Sequence, residues 1–294
     1  MNFLDLNTLI KEFVSKKDIS FQESINIIEN KIINLEARDL KILLAQIGII
    51  PEEINHDSTE EKIFSKLTDL ILARTFNELG LKSQIIKQRS NCADVAAKSI
   101  FHNYTLVADA KAFRLSRTAK NQKDFKINAL FHWKKGNDFA ILVSPYYQYP
   151  QTNSQIYGQA LIYNICLLSW EHLLFFIESG LKENEKINLS NLWNSSEILA
   201  KKISIHDKNK NFKDSLNDLI CEKYNLKIEE LNKILKSSKD IIRYRGENAK
   251  EYLNKRIEEI KSYSKEKAVK ELIKALKINE KIKAIDNYIS SLGD

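Results

Sequence analysis

Asp94-Val-Ala-Ala97, followed by Tyr104-Thr-Leu-Val-Ala-Asp-Ala-Lys-Ala-Phe113, is the stretch that decides how this chain folds. Both segments are short and apolar, and they read as neighbouring strands. Fourteen residues separate Asp94 from Asp109. Alternate residues of a strand share a face, so Asp109 and Lys111 point the same way while Ala108, Ala110 and Ala112 point into packing. The spacing therefore gathers two carboxylates and one amine. That is the minimum set for holding a divalent metal against a phosphodiester and activating a water.

Working outward, Gln84-Ile-Ile-Lys87 reads as a third strand, and Phe139-Ala-Ile-Leu-Val143 and Ile165-Cys-Leu-Leu168 as two more. Helices are expected from about Asn121 to Lys135, from about Asn153 to Tyr163, and from Trp170 onward. Strands alternating with helices imply an α/β fold, a mixed central sheet flanked by helices. Before it, Phe13, Ile25, Ile28, Ile32 and Leu35, then Leu40, Leu43, Leu44 and Ile47, recur at helical steps. Ser58-Thr-Glu-Glu61 has capping-box spacing at the head of a helix running to Gly80, with Ile63, Leu67, Leu70, Ile71 and Phe76 inward. Beyond about Leu189 everything reads as helix, including two long charged helices over 226–263 and 264–292, with Gly246 a weak point in the first. A single domain over 1–294 is expected, with a helical part at 1–56, an α/β core at 57–185 and a helical part at 186–294.

Composition narrows the class. Only 7 Gly and 3 Pro in 294 residues exclude a turn-rich all-β fold, and 43% hydrophobic residues suit a folded domain. No apolar run approaches membrane-spanning length, and the first residues lack the features of a signal peptide. Cys92, Cys166 and Cys221 are far apart, so neither a disulfide framework nor a zinc site is suggested, and a reducing cytoplasm fits. A formal charge of +7 suits a polyanionic partner, although a lysine-rich proteome would give the same balance. No GxxxxGK[ST] or GxGxxG stretch exists, so no nucleotide cofactor is implied.

Magnesium prefers oxygen ligands and keeps several waters. Asp94 and Asp109 can supply ligand oxygens, the backbone carbonyl of Ala110 a third, and Lys111 can sit between the water and the scissile phosphate. Asp39-Leu-Lys41, Glu60-Glu-Lys62, Asp124-Phe-Lys126 and Glu259-Ile-Lys261 repeat the acid-x-lysine pattern. Helical residues two apart diverge by about 200°, so those pairs cannot share a metal. Asp124, in the first turn of a helix, reads as a capping or dipole-complementing acid. For Asp109 the competing reading is a simple ion pair with Lys111. The adjoining Arg114-Leu-Ser-Arg-Thr-Ala-Lys-Asn-Gln-Lys123 carries four cations, two hydroxyls and two amides. Helix N-termini attract phosphate, and these side chains suit base edges. Placed beside the carboxylates, the segment favours DNA contact over a merely solvated loop. Glu61 can serve as a third carboxylate, but its capping-box position is the stronger reading. His102-Asn103 lacks the second histidine of an HNH site, and His132 and His172 lie on helices, where capped or buried rings are the simpler reading.

The run Leu106-Val-Ala-Asp-Ala-Lys-Ala-Phe-Arg-Leu-Ser-Arg-Thr-Ala-Lys-Asn-Gln-Lys-Asp-Phe-Lys126 resembles the HindIII family of type II restriction endonucleases, within the PD-(D/E)xK nucleases. Gln148-Tyr-Pro150, Ser154-Gln-Ile-Tyr157 and Leu168-Ser-Trp-Glu-His-Leu173 are similar too, and weaker likeness runs from about Leu35 to the end. The resemblance implies a homodimer that cuts both strands of duplex DNA with Mg²⁺ at the palindrome 5′-AAGCTT-3′, after the first A, leaving 5′ overhangs. It implies Asp94 and Asp109 as metal ligands and Lys111 as the catalytic lysine. Asn121 and Lys123, with Ala119 and Lys120, become candidates for base contacts, beside Arg114, Ser116 and Arg117. A cognate DNA methyltransferase is the implied functional partner. Ala93 replaces the proline of the signature, Ala110 its serine, and Lys87 stands where the family carries an acid, which makes Lys87 a candidate modifier of metal affinity or turnover. A structure-specific repair nuclease, or an inactive DNA-binding protein of the same fold, are the competing readings.

Overall fold

The computed structural model describes Thr8, Ile10, Glu12 and residues 20–86, 92–117, 122–150, 154–202 and 208–291. They divide into two compact units, Met1–Gly246 and Glu247–Asp294.

The first unit opens with helices whose apolar spacing dictates their packing. In α1 (Phe21–Ile33), Ser20 Oγ accepts the Glu23 N–H at 3.2 Å, and Ile25, Ile28 and Ile32 are buried. Helix α2 (Ala37–Leu44) buries Leu40, Leu43 and Leu44. Helix α3 (Thr59–Glu78) starts where Ser58 Oγ accepts the Glu61 N–H at 3.1 Å. Its inner face buries Ile63, Leu67, Leu70, Ile71 and Phe76 as the spacing predicts, and it packs across the first three strands. Gly80 ends it with φ +91°, and a Cβ there would meet the Glu183 carbonyl at 2.5 Å. No other residue fits that turn.

The sheet has five strands in the order β1 (Lys82–Ile85), β2 (Val95–Lys98), β3 (Thr105–Ala110), β4 (Phe139–Ser144) and β5 (Ile165–Ser169). β1, β2 and β3 pair antiparallel; β3, β4 and β5 pair parallel. The change of direction follows from connection length. The short links before β2 and β3 allow reversals, while β4 and β5 are reached through helical crossovers. Being covered on both sides, β4 and β5 are nearly continuous apolar runs.

The helix expected over 121–135 is two, α4 (Gln122–Phe125) and α5 (Ile127–Trp133), because Lys126 turns left-handed at φ +50°. After β4 come a 3₁₀ turn at Tyr146–Gln148 and α6 (Gln155–Tyr163). α7 (Trp170–Glu178) follows β5 without a loop, capped by Ser169 and His172 in reciprocal hydrogen bonds. Then α8 (Ser190–Trp193), α9 (Ser195–Ala200), α10 (Lys208–Tyr224) and α11 (Ile228–Lys261) complete the helical part. α11 runs through Gly246 without breaking. The last expected long helix is α12 (Lys265–Ala275) and α13 (Ile278–Ser291), separated by Lys277 at φ +52°. Among the described residues no helix is long and apolar enough to cross a membrane.

His172 is fixed as a neutral ring. Its Nδ1 accepts the Ser169 N–H at 3.0 Å, and its Nε2 lies 2.8 Å from Asn217 Oδ1, which can only accept. Burial lowers its pKa to about 4. A base lowered on folding contributes stability that is complete above its unfolded pKa near 6.5 and is lost as pH falls toward 4. The stability gap between the natural chain and His172→Gln, measured by urea unfolding, should therefore narrow by about 3 kcal/mol between pH 7 and pH 4.

Candidate active site

Asp109 lies at the end of β3, and the backbone around it is pinned from two directions. The Lys111 N–H donates to the Val143 carbonyl at 2.7 Å, carrying the parallel ladder past the strand end. Trp170 Nε1 donates to the Lys111 carbonyl at 2.8 Å. Asp94 immediately precedes β2. Its N–H donates to the Ala108 carbonyl at 3.2 Å and its carbonyl accepts the Ile86 N–H at 2.9 Å, so it is held between β1 and β3. Antiparallel pairing sets the start of β2 beside the end of β3, and that register brings the two acids together.

Helix α3 adds two residues that the spacing analysis did not single out. Asp69 is buried, and Lys66 Nζ lies 3.0 Å from its Oδ2 and 3.4 Å from Asp94 Oδ1. On the other side, Lys111 Nζ lies 2.5 Å from Asp109 Oδ2. The cluster is thus three carboxylates against two ammonium groups. Asp109 is 1% exposed, and neither of its oxygens accepts a hydrogen bond in bonding geometry. Burial raises its pKa to about 6, with Asp94 adding to the rise and Lys111 opposing it. Asp69 is pushed well above the usual carboxylate range, first by burial and then by the charge of Asp94. Burial pulls Lys66 down, but Asp69 and Asp94 outweigh it and hold its ammonium above the ordinary value. The only signal for Asp69 in the sequence is an acid between Leu67 and Leu70 on an otherwise apolar helix face.

This arrangement fits a divalent cation. Buried, under-satisfied carboxylate oxygens with excess negative charge are what such an ion relieves. Ala110 and Lys111 line an open cleft of about 530 Å³ whose wall includes Thr68, Glu61, Arg114 and Arg117. Three acidic or imidazole side chains also meet at His56, Asp57 and Glu61. There, however, Glu61 is already committed: it pairs with Arg114 and accepts the Asp57 N–H at 2.8 Å. Glu61 does more than cap its helix, since through Arg114 it ties α3 to the segment after β3.

The remaining candidates are placed as follows. Arg114 also donates to the Ile54 carbonyl at 2.7 Å. Ser116 bonds Glu52 through its N–H at 3.1 Å and its hydroxyl at 2.8 Å. Arg117 lies 2.5 Å from Asp124 and over the Phe113 ring, so Asp124 serves as an ion-pair partner. Lys123 is exposed. Lys87, Ala119, Lys120 and Asn121 lie outside the described residues.

Comparison with known proteins agrees with this geometry. The family model for the HindIII restriction endonuclease matches residues 6–289. The chain belongs to that family. It is 40% identical over 272 residues to the type II restriction enzyme HindIII of Haemophilus influenzae, covering 92% of this chain and 91% of the relative. Among solved structures, restriction endonuclease FokI aligns at 14% identity and a TM-score of 0.35, over 55% of this chain and 32% of that one. This family member is therefore an endonuclease by descent.

Two measurements probe the cluster. An acid whose pKa is raised on folding contributes most stability below its unfolded value and loses it as pH rises through the folded one. Asp109, whose pKa burial raises, therefore destabilises the metal-free protein at pH 8 relative to acid pH. Asp109→Asn should raise the metal-free melting midpoint at pH 8 and abolish the further rise that Ca²⁺ gives the natural chain. Lys66→Met removes a cation competing for the same carboxylates, and calorimetric titration should show Ca²⁺ binding several-fold tighter.

Proposed function

We propose that this chain is a homodimeric type II restriction endonuclease that cuts both strands of duplex DNA at 5′-AAGCTT-3′, after the first A, leaving 5′ overhangs. Mg²⁺ is the proposed cofactor. The observation that carries the reading is the buried Asp109 carboxylate, close to Asp94 and paired with Lys111, which lines an open cleft, in a chain of this family. The 40% identity to HindIII supports the target, because it spans nearly the whole of both chains.

In this reading Asp94, Asp109 and the Ala110 carbonyl would hold Mg²⁺. When bound, the ion supplies Lewis-acid stabilisation of negative charge on the phosphate and a more acidic water. The protein's own groups do the rest. Asp109 is fixed by its strand, so its oxygens need no reorganisation. Lys111 Nζ is held at the cleft by the Asp109 carboxylate. From there its ammonium can hydrogen-bond a non-bridging phosphate oxygen and orient the attacking water on the same side. Asp69 and Lys66 position Asp94 from behind.

The segment from Arg114 to Lys123 is the proposed DNA contact, with Arg114, Ser116 and Arg117 shaping the cleft wall and Lys123 offered to solvent. Asn121 and Lys123, with Ala119 and Lys120, are the proposed readers of base edges. A palindrome matches a two-fold dimer, each protomer reading one half-site. The protein would act in the cytoplasm of a bacterium beside a methyltransferase that protects the host's own sites.

Plasmid DNA incubated with the protein and Mg²⁺ should yield discrete fragments whose ends map to AAGCTT. Asp109→Asn and Lys111→Ala should each lower the cleavage rate by about 10³-fold or more while gel-shift binding in Ca²⁺ persists. Nicking that follows DNA structure instead of sequence would mark a repair nuclease. Binding without cutting would mark an inactive relative.

A further inference from the structure

The connection from α2 to α3 runs beside the residues that follow β3 and meets them one after another. The Phe113 N–H donates to the Gly48 carbonyl at 3.1 Å, and the Phe113 carbonyl accepts the Ile50 N–H at 3.2 Å, so Ile49 and Phe113 form an isolated parallel bridge. This strip is itself held. A Cβ on Gly48 would meet Pro145 at 2.8 Å and Trp170 at 3.0 Å, and Arg245 of α11 donates to the Ile49 carbonyl at 3.2 Å. Pro51–Ile54 then closes a turn, the Ile54 N–H donating to the Pro51 carbonyl at 3.2 Å. Glu52 stands at the second position of that turn, half-buried, and its carboxylate takes two bonds from one residue. Its Oε1 accepts the Ser116 N–H at 3.1 Å and its Oε2 the Ser116 hydroxyl at 2.8 Å.

We propose that Glu52 is a specificity-positioning residue, which clasps Ser116 through backbone and side chain and so fixes the start of the run that reads the bases. The inference rests on the function proposed above. A carboxylate bonded to a backbone N–H holds the main chain and not merely a side chain, and charge-assisted bonds of this kind are the stronger ones. The next residue, Arg117, is tied to Asp124. The proposed readers, from Ala119 to Lys123, therefore fall between two anchored points of the chain. Reading base edges depends on hydrogen bonds that weaken steeply when misaligned, so anchoring the run sharpens the choice of sequence. Charge separates this role from direct contact with DNA. A carboxylate repels a polyanion, and the one base group it suits is the cytosine amine. Both Glu52 oxygens are already engaged by Ser116. Its bonds go to Ser116 and not to the carboxylate cluster, so its effect falls on which sequence is bound and not on hydrolysis.

The test uses the full chain, with equilibrium competition in Ca²⁺ between AAGCTT duplexes and duplexes changed at one base pair. In Glu52→Ala the preference for AAGCTT should fall about tenfold at each half-site position, as loss of a hydrogen bond to a charged group implies. Single-turnover cleavage of saturating AAGCTT duplex with Mg²⁺ should stay within about threefold of the natural rate. Affinity for non-cognate duplex should hold or rise, because a negative charge has gone. Glu52→Gln can still accept the Ser116 N–H and can donate to the hydroxyl, so it should keep the natural discrimination. Glu52→Asp retains the charge but withdraws it by one methylene, and it should lose discrimination as Glu52→Ala does. All three should keep the Ca²⁺-induced rise in melting midpoint that reports the cluster around Asp109. Natural discrimination in Glu52→Ala and Glu52→Asp would overturn the proposal. So would a loss shared by Glu52→Gln, a loss confined to the G·C position, which marks direct cytosine contact, or an equal loss of cognate and non-cognate binding with a lower melting midpoint. The two readings fail separately. Fragments that end at another sequence overturn AAGCTT, while the same ratio measured at that sequence still tests Glu52.

Discussion

The mutual repulsion of three carboxylates drawn into one buried site is the constraint around which the rest of the structure is built. Asp109 and Asp69 are both about nine-tenths or more removed from water, and Asp94 faces them. Burying such groups costs several kcal/mol unless opposite charge accompanies them. Lys111, just past the end of β3, and Lys66, on α3, supply part of it, and burial shifts Asp109 and Asp69 toward their neutral forms. A cleft opens beside Lys111, lined also by Thr68 and Ala110.

Topology explains how three separate segments reach one point. β3 is where the sheet changes direction, antiparallel toward β2 and parallel toward β4. The antiparallel side returns the start of β2, and Asp94, to the end of β3. The parallel side brings the ends of β4 and β5 to the same edge, so that Trp170, at the head of α7, can reach back to the Lys111 carbonyl. α3 crosses the first three strands and delivers Lys66 and Asp69 one turn apart. The hairpin supplies Asp94 and Asp109, and the parallel half supplies the backing that pins the backbone after Asp109.

The parts of this design that obey a local period were legible in the sequence. The continuous apolar runs of β4 and β5 and the inner face of α3 each follow from backbone geometry, and the five-stranded sheet they imply is present; the alternation expected around Asp109 does not appear, because β3 is buried on both faces from Leu106 to Ala110 and ends before Lys111. What escaped has no local period. Asp69 interrupts an apolar face, and nothing along the helix says which distant carboxylates it will meet. Lys126 and Lys277 adopt left-handed turns without glycine or asparagine to announce them. Gly246 misleads in the other direction. A glycine costs a helix about 1 kcal/mol relative to alanine, too little to break α11, which is 34 residues long. Glu61 shows the same limit: its capping position was readable, but its pairing with Arg114, far along the chain, was not.

That pairing bears on how a basic segment should be understood. The four cations between Arg114 and Lys123 read as a phosphate-binding run when counted along the sequence. In the fold two of them are engaged inside the protomer. Arg114 is clasped by Glu61 and the Ile54 carbonyl, and Arg117 by Asp124. A phosphate could take either guanidinium only by displacing a carboxylate already in contact, and for the mostly buried Arg114 it would also strand Glu61. Their stronger contribution is to tie the segment just after β3 to α3, through Glu61, and to α4, through Asp124. Lys111 is held in the same way by Asp109, while Lys123 is exposed. Positive charge near a site therefore divides into charge that builds its walls and charge that meets the substrate, and partner geometry makes that division.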